Sequence, residues 1–261
     1  MKSTPKSTST LSTRVVAEFL GTAFLVAAVV GSGIMAERLC GGNVGLALLA
    51  NTVATGAALV ALILAFGPIS GAHLNPVVSL ADAIEGGLPW REMPGYALAQ
   101  IVGGISGTML AHEMFGMPMI SLSRHIRSGP SQILSEFVAT FGLMSVIWGC
   151  ARASRMFVTS NASPEGADEG ARSYMERPVA IAVGCYIAAA YWFTASTSFA
   201  NPAVTVARSL SDTFSGIRPV DALPFILAQF AGGLAATFLF RWLAPRLRLS
   251  AEKVVVPHPV K

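Results

Sequence analysis

Two asparagine–proline pairs have the most specific chemistry in this sequence. Asn75-Pro76 and Asn201-Pro202 each place an asparagine directly before a proline. The asparagine side chain accepts hydrogen bonds from the free N–H groups at a helix start, and proline is preferred at the first helical position. Each pair therefore predicts the first turn of a helix. Such a start carries about +0.5 of an elementary charge, and asparagine amides donate hydrogen bonds to oxygen atoms. This chemistry indicates the handling of neutral, oxygen-bearing solutes.

The composition indicates that these helix starts lie in a membrane protein. Of 261 residues, 53% are hydrophobic and only 12% are charged, whereas a soluble domain carries about 25% charged residues. These values exclude a water-soluble enzyme and a disordered chain. The uncharged stretches predict six spanning helices, near residues 14–36, 44–66, 94–115, 131–151, 178–197 and 221–243.

The two longest uncharged stretches exceed one span. They contain 43 residues between Arg38 and Asp82 and 30 residues between Arg177 and Arg208. Each Asn-Pro pair lies in the part of its uncharged stretch that follows the spanning helix, where no further full span fits before the next loop. We therefore predict two half-helices of roughly 8–10 residues that start at the bilayer centre and are reached by re-entrant segments, which membranes tolerate only within protein or beside a water-filled cavity.

Three blocks of sequence recur in the same order. AEFLGT at 17–22 resembles SEFVAT at 135–140, NPVVSLA at 75–81 resembles NPAVTVA at 201–207, and AQIVGG at 99–104 resembles AQFAGG at 228–233. Each half holds three spans, so the second half is inverted in the membrane, and such repeats place a pathway at their interface. We predict a channel domain over 14–245 with repeats 14–116 and 131–245, a solvated loop at 152–177, and tails at 1–13 and 246–261.

The inversion brings the two half-helices together N-terminus to N-terminus. Their dipoles repel cations, the Asn75 and Asn201 amides donate to a passing oxygen, and carbonyls of the re-entrant segments accept. We predict a central constriction made by the residues of both pairs and the residue after each: Asn75, Pro76, Val77, Asn201, Pro202 and Ala203. Glu18 and Glu136 are intramembrane carboxylates, which face the bundle interior and a polar partner; a proton relay is the alternative.

These residues together resemble the aquaporin or major intrinsic protein family. The resemblance covers about residues 14–245 through AEFLGT, SGAHLNPVVSLADA at 70–83, SEFVAT and NPAVTVAR at 201–208. It implies an all-α membrane protein with six spanning helices, two re-entrant half-helices and an inverted 3+3 repeat, assembled as a homotetramer with one pore per subunit. It also implies that Glu18 and Glu136 hold the re-entrant backbone, and that His73 lies on the cytoplasmic half of the pore with a role in pH gating as one hypothesis.

The chain departs from the family pattern at two positions. Val77 follows the first Asn-Pro pair where the family has alanine, and Val204 stands where most members have an arginine at the outer filter. Counted by family spacing without gaps, the filter comprises Thr55, Ala189, Ser198 and Val204. Four small side chains predict a wide, arginine-free filter that passes glycerol-like polyols and neutral metalloid acids such as arsenite. Arg208, four residues after Val204, is expected at the surface rather than in the outer vestibule.

Charge placement favours a membrane location and no nucleic-acid partner. One side of the predicted bundle, with both termini, holds 13 of the 18 basic residues, which predicts cytoplasmic termini in an inner-membrane protein. The expected partners are water, small neutral solutes and lipid. No cofactor and no metal site are expected, because His112-Glu113 lacks further ligands at suitable spacing.

The alternative function is an ion-coupled secondary transporter at the same repeat interface, using Glu18 or Glu136.

Overall fold

The computed structural model describes residues 9–161 and 169–243, with side chains described over 9–151 and 178–243. The described chain is all-helical. Its helices are α1 (Leu11–Leu39), α2 (Val44–Ser70), α3 (Pro76–Glu85), α4 (Met93–Met114), α5 (Pro130–Asn161), α6 (Glu169–Phe193), α7 (Pro202–Arg208) and α8 (Pro219–Leu243).

The six long helices agree with the predicted spans, and α3 and α7 are the two half-helices. Four segments are each long and apolar enough to cross a membrane: α1, α2, Pro130–Ala151 of α5, and α8. Pro178–Phe193 of α6 is a shorter apolar helix. Helix α4 is not among these apolar segments. It carries polar side chains that are buried inside the bundle, among them Gln100, Thr108 and His112.

The loop predicted at 152–177 is wrong in extent. Helix α5 continues to Asn161 and α6 begins at Glu169, so part of this polar sequence is helical. Composition alone does not separate a polar helix from a loop. Residues 162–168 of that prediction lie outside the described residues, as do residues 1–8 and 244–261 of the predicted tails.

The two halves pack their helices in the same way. Gly103 and Gly107 of α4 lie against the backbone of Phe19 and Ala23 in α1, and Gly232 of α8 lies against Phe137 in α5. A Cβ atom at any of these glycines would overlap the facing carbonyl, so the small residues permit the close approach expected between membrane helices. The α1–α4 and α5–α8 pairs are thus repeat-related.

Ion pairs and hydrogen bonds identify the two ends of the bundle. At the end that holds the start of α1 and the end of α8, here the terminal side, Arg14 pairs with Glu92 and Arg241 with Glu85, both at 2.8 Å. At the opposite, distal side, Arg38 donates to the Phe115 carbonyl at 3.1 Å. Helix α3 runs to the terminal side, since Glu85 ends it. Helix α7 runs the opposite way, and the inversion of the halves is therefore present.

An extended segment covers the distal side. Residues 116–129, here the distal loop, pair with the α7–α8 connection at 209–218: Ser121 N–H donates to Leu210 O and Ser123 N–H to Ser209 O, both at 3.0 Å. Arg218 N–H donates back to His125 O at 2.8 Å. The pairing fixes the distal loop across the end of α7.

Candidate pore and its constrictions

Both half-helices begin at the predicted asparagines. Asn75 and Asn201 have extended backbones with φ of −157°, each followed by proline. The Asn75 Oδ1 accepts from Val77 N–H at 2.9 Å, and the Asn201 Oδ1 accepts from Ala203 N–H at 3.0 Å. These are N-cap bonds, and they leave both amide groups free to act elsewhere.

The two helix starts meet inside the protein. The Asn75 amide donates to Ala200 O at 2.8 Å, and the Asn201 amide donates to Leu74 O at 2.7 Å. Both asparagines are buried. Each NH₂ group has two hydrogens, so one is used in these bonds and the other remains for a solute oxygen. The meeting point combines two positive helix ends with two N–H donors.

The re-entrant segments, residues 70–74 and 196–200, adopt backbone conformations that only tertiary bonds can hold. Leu74 and Ala200, which correspond in the repeats, have φ of 49° and 48°, and Ala72 and Ser198 have φ of 47° and 50°. Each such non-glycine residue costs about 1–3 kcal/mol and persists only where its surroundings over-determine it. The surroundings here are two buried glutamates.

Glu18 holds the first re-entrant segment. It is fully buried, and both of its oxygens face hydrogen-bond donors. Oε1 accepts from Ser70 Oγ at 2.6 Å and His73 N–H at 2.9 Å, while Oε2 accepts from Leu74 N–H at 2.7 Å and Gln100 Nε2 at 2.8 Å. Four donors on one carboxylate are the arrangement that keeps a buried charge in place.

Glu136 repeats this arrangement in the second half. Its oxygens accept from Ser196 Oγ at 2.6 Å, Phe199 N–H and Ala200 N–H at 2.9 Å, and Gln229 Nε2 at 2.6 Å. The interior location and polar partners expected of both glutamates are therefore present. With every oxygen occupied as an acceptor, neither carboxylate is arranged to pass a proton along the pore.

Val77 is accommodated by a glycine on the neighbouring helix. It is buried in a cluster with Met144, Trp148 and Ala236. A Cβ atom built on Gly233 of α8 would overlap the Val77 side chain. The extra methyl groups at position 77 therefore fill space that Gly233 leaves, and the Asn75 cap stays intact.

Three of the four predicted filter residues lie inside the distal half, and the fourth does not. Thr55, Ser198 and Val204 are buried, and the Ser198 hydroxyl has no hydrogen-bond partner among the described residues. Ala189 is exposed, on the side of α6 that carries Cys185. Ala189 therefore does not face the interior of the bundle, as the other three residues do.

Tyr191, two residues after Ala189, is the α6 side chain that contacts Thr55. Its hydroxyl donates to Thr55 Oγ1 at 3.3 Å, and its ring packs with Ile187 and Ala200. The count depends on the length of the turn after α6, which sequence spacing does not reveal. A usable signal exists in the four-residue spacing of Val183, Ile187 and Tyr191, which marks the buried face of α6.

Arg208 is buried, with 2% of its surface exposed, so the expected surface position is wrong. Its guanidinium carbon lies 3.4 Å from the centroid of the Phe199 ring, and its Nε donates to Ser215 O. The physical reason is that the distal loop and the α7–α8 connection close over the end of α7, which an isolated helix pattern does not contain.

Arg127 of the distal loop is a site residue that sequence reasoning missed. Its Nη1 donates to Ser196 O at 2.9 Å and its Nε to Gly216 O at 2.8 Å. Burial lowers the pKa of Arg127 to about 10, so it stays charged at neutral pH. No sequence pattern indicates this residue, because its position depends on how the loop crosses the bundle.

His73 lies on the terminal side of the meeting point. Its Nδ1 is 3.1 Å from Ser79 Oγ, and its Nε2 is 3.5 Å from Asp82 Oδ2. Asp82, a buried residue of α3, is a further neighbour that the sequence did not indicate. Among the described residues, no three His, Cys, Asp or Glu side chains lie together as metal ligands would.

The sequence matches one family model over two overlapping stretches. The model, described as major intrinsic protein, matches residues 6–167 and 131–260. The aquaglyceroporin AqpS of Rhizobium meliloti (strain 1021) is 51% identical over 233 residues, which cover 89% of this chain and 91% of that protein. Aquaporin NIP1-4 of Oryza sativa subsp. japonica is 32% identical over 239 residues, 91% of this chain and 77% of that protein.

A solved structure has the same fold. The X-ray structure of the aquaglyceroporin from Plasmodium falciparum superposes with a TM-score of 0.60 and covers 92% of this chain and 100% of that one. Its sequence identity is 19%, so the likeness concerns the fold alone. The predicted architecture of six spanning helices and two half-helices is confirmed.

Proposed function

Since this chain belongs to the major intrinsic protein family, we propose that its pore carries water, glycerol-like polyols and undissociated metalloid acids such as arsenite. The chain is a passive membrane channel for water and glycerol-like solutes, and not an enzyme.

The reciprocal bonds between Asn75 and Asn201 and the re-entrant backbone are the observation that carries the proposal. They leave one amide hydrogen on each asparagine at a point where two positive helix ends meet. A neutral solute with an oxygen atom finds two donors there, whereas a cation is repelled by the dipoles. The site therefore selects for uncharged, hydrogen-bonding solutes.

The distal filter supports the passage of polyols. Thr55 and Ser198 present hydroxyl groups, while Tyr191 and Val204 present an aromatic ring and methyl groups. A polyol has hydroxyls along a hydrocarbon backbone and suits such a two-sided wall. Tyr191 makes this filter narrower than the four small residues first predicted, and Val204 leaves it without a charge at the position that the family gives to arginine.

Arsenite in its undissociated form is proposed for the same reason. It is a small neutral acid with several hydroxyl groups, so it presents to the filter the chemistry that glycerol presents. The Ser198 hydroxyl, which is buried and without a partner in the described chain, is the group that we assign to meet one of those hydroxyls.

We place both termini in the cytoplasm and the distal loop outside the inner membrane. Arg14, Arg91 and Arg241 flank the membrane on the terminal side, in keeping with the bias of basic residues towards the cytoplasm.

A homotetramer is proposed from the family. It would cover part of the apolar surface, where Leu49, Val53 and other large side chains are exposed.

An ion-coupled transporter lacks support in these contacts. Such a carrier needs a buried ionisable group that can take up the coupling ion. Glu18 and Glu136 are the candidates, and each is already held by four donors.

Stopped-flow light scattering on proteoliposomes tests the proposal. Inward gradients of glycerol and arsenite should produce fast re-swelling that does not saturate and does not respond to proton or sodium gradients. Empty vesicles give the background. Rapid osmotic water flow with glycerol and arsenite both impermeant would overturn the proposed solute range, and saturable, ion-dependent flux would support the carrier.

A further inference from the structure

Val204 and Arg208 lie on one face of α7. They are four residues apart, which is about one turn of helix. Val204 packs in an apolar cluster with Leu74 and with Leu59 and Ile63 of α2, so the filter has hydrocarbon at this level. Arg208 is the next side chain on that face towards the distal side.

The Arg208 guanidinium is directed back along the second re-entrant segment. It lies over the ring of Phe199, whose backbone N–H is held by Glu136 at 2.9 Å. Its Nε donates to Ser215 O, while its Nη1 is buried without a hydrogen-bond partner in the described chain. One end of the guanidinium is therefore anchored, and the other offers a donor.

Arg127 adds a second guanidinium on the same ring. Its guanidinium carbon is 5.1 Å from the Phe199 centroid, and Phe199 is itself set edge-on against Phe225 at 5.4 Å between centroids. The pair of arginines is thus placed by a rigid aromatic stack and not by flexible chains in solvent.

Arg127 and Arg208 form no salt bridge with a carboxylate in the part of the chain that the structure describes. Arg124 and Arg218 on the same side pair with Asp212 and Asp221, but no ion pair of the described residues includes Arg127 or Arg208. Asp221 accepts from the Arg218 side chain, and from Arg127 it accepts the backbone N–H, at 3.1 Å, rather than the guanidinium. Glu136, another buried carboxylate of the second half, is occupied by its four donors. The distal side therefore holds two buried guanidinium groups that form no salt bridge with a carboxylate of the described residues.

We propose that Arg208, held over Phe199 and reinforced by Arg127, is the residue that excludes cations at the distal filter, and that its free Nη1 donates to the oxygen of an entering solute. The inference rests on the proposed channel function and adds the specificity-determining charge that Val204 does not supply. A fixed positive charge in a region of low dielectric raises the energy of a cation, whereas a neutral solute meets no such repulsion and can accept the hydrogen bond.

The charge of Arg208 is tested in proteoliposomes by two separate measurements. Glycerol re-swelling of the wild type establishes the channel, and its absence would count against the proposed function, not against this inference. Proton and potassium leak, followed with an entrapped pH dye and a potential-sensitive dye, then tests R208Q and R208K. We expect leak in R208Q to rise by about tenfold or more, which corresponds to a barrier about 1.4 kcal/mol lower, and R208K to remain close to the wild type.

Three further variants separate charge from structure. R124Q removes an exposed arginine of the same side and should leak no more than the wild type. V204R combined with R208Q should restore exclusion, because it returns a guanidinium to the same face one turn away. Should R208Q elute as aggregate, R127Q gives the test, with a smaller rise in leak expected. Wild-type leak in folded R208Q or R127Q, or equal leak in R208Q and R208K, would overturn the assignment.

Discussion

Asn75 and Asn201 each bind the backbone that precedes the other: the Asn75 amide donates to Ala200 O at 2.8 Å, and the Asn201 amide donates to Leu74 O at 2.7 Å. The two half-helices are therefore cross-linked at their tips by a symmetrical pair of bonds. Capping within each helix and contact between helices are carried out by different atoms of the same side chain. Because different atoms carry the two roles, a substitution that keeps the capping oxygen but removes the amide group tests the contact between the helices alone.

Asn75→Asp should lower both stability and glycerol flux. Aspartate keeps the oxygen that caps α3 but loses the donor to Ala200 O, and it places a carboxylate oxygen against that carbonyl. A buried acceptor left unpaired costs about 1–3 kcal/mol. Thermal unfolding in detergent and glycerol re-swelling measure the two effects.

Asn43→Asp is the matched control. Asn43 is the exposed N-cap of α2, and only its Oδ1 is used, in a bond from Leu46 N–H at 3.0 Å. Because aspartate caps as well as asparagine, this variant should match the wild type in both measurements. Equal damage from both substitutions would mean that capping, and not the cross-link, explains the result.

Glu18→Gln and Glu136→Gln should each destabilise the channel by about 1–3 kcal/mol. A glutamine amide group would face donors such as the Leu74 or Ala200 N–H groups and lose at least one of the four bonds at each site. The melting temperature in detergent should fall by a similar amount for both, since the sites correspond in the repeats. The exposed Glu37→Gln serves as control, and a wild-type melting temperature in both buried variants would contradict the bracing role.

Phenylalanine substitution should distinguish the two filter assignments. Thr55→Phe places a ring beside the Tyr191 hydroxyl and should reduce glycerol flux by about tenfold, a barrier increase of about 1.4 kcal/mol, with a smaller effect on water. Ala189→Phe should leave both fluxes unchanged, because Ala189 is exposed on the outer side of α6. Stopped-flow measurement of glycerol and water flux distinguishes the two assignments. A loss of glycerol flux in Ala189→Phe would show that Ala189, and not Tyr191, lines the filter.

Gly233→Ala should destabilise the protein by about 1–3 kcal/mol through overpacking. The added methyl group overlaps Val77, whereas its other neighbours, Met144 and Thr140, lie at 3.6 Å. Val77→Ala should rescue Gly233→Ala in a double-mutant cycle, because alanine vacates that space. Additive effects of the two substitutions in thermal unfolding would show that they do not share the contact.

Much of this fold was predictable because its signals are local. Long uncharged stretches, the Asn-Pro pairs and the repeated AEFLGT and SEFVAT blocks report hydrophobicity, capping and internal symmetry, which each segment carries in its own residues. The positions of Glu18 and Glu136 followed from the cost of a carboxylate in lipid. The donors that bind each carboxylate could not be predicted in this way, because the Gln100 and Gln229 amides come from other helices.

The sequence by itself determined the six spans, the two inverted half-helices and the asparagines that start them. Only the tertiary structure decided that Tyr191 and not Ala189 faces Thr55, that Arg208 is directed inward over Phe199, and that Arg127 reaches Ser196 from the distal loop. The physical reason is that hydrophobic periodicity and capping act within a turn or two of chain. The direction of a side chain near a helix end depends on turn length and on which distant segment packs over it.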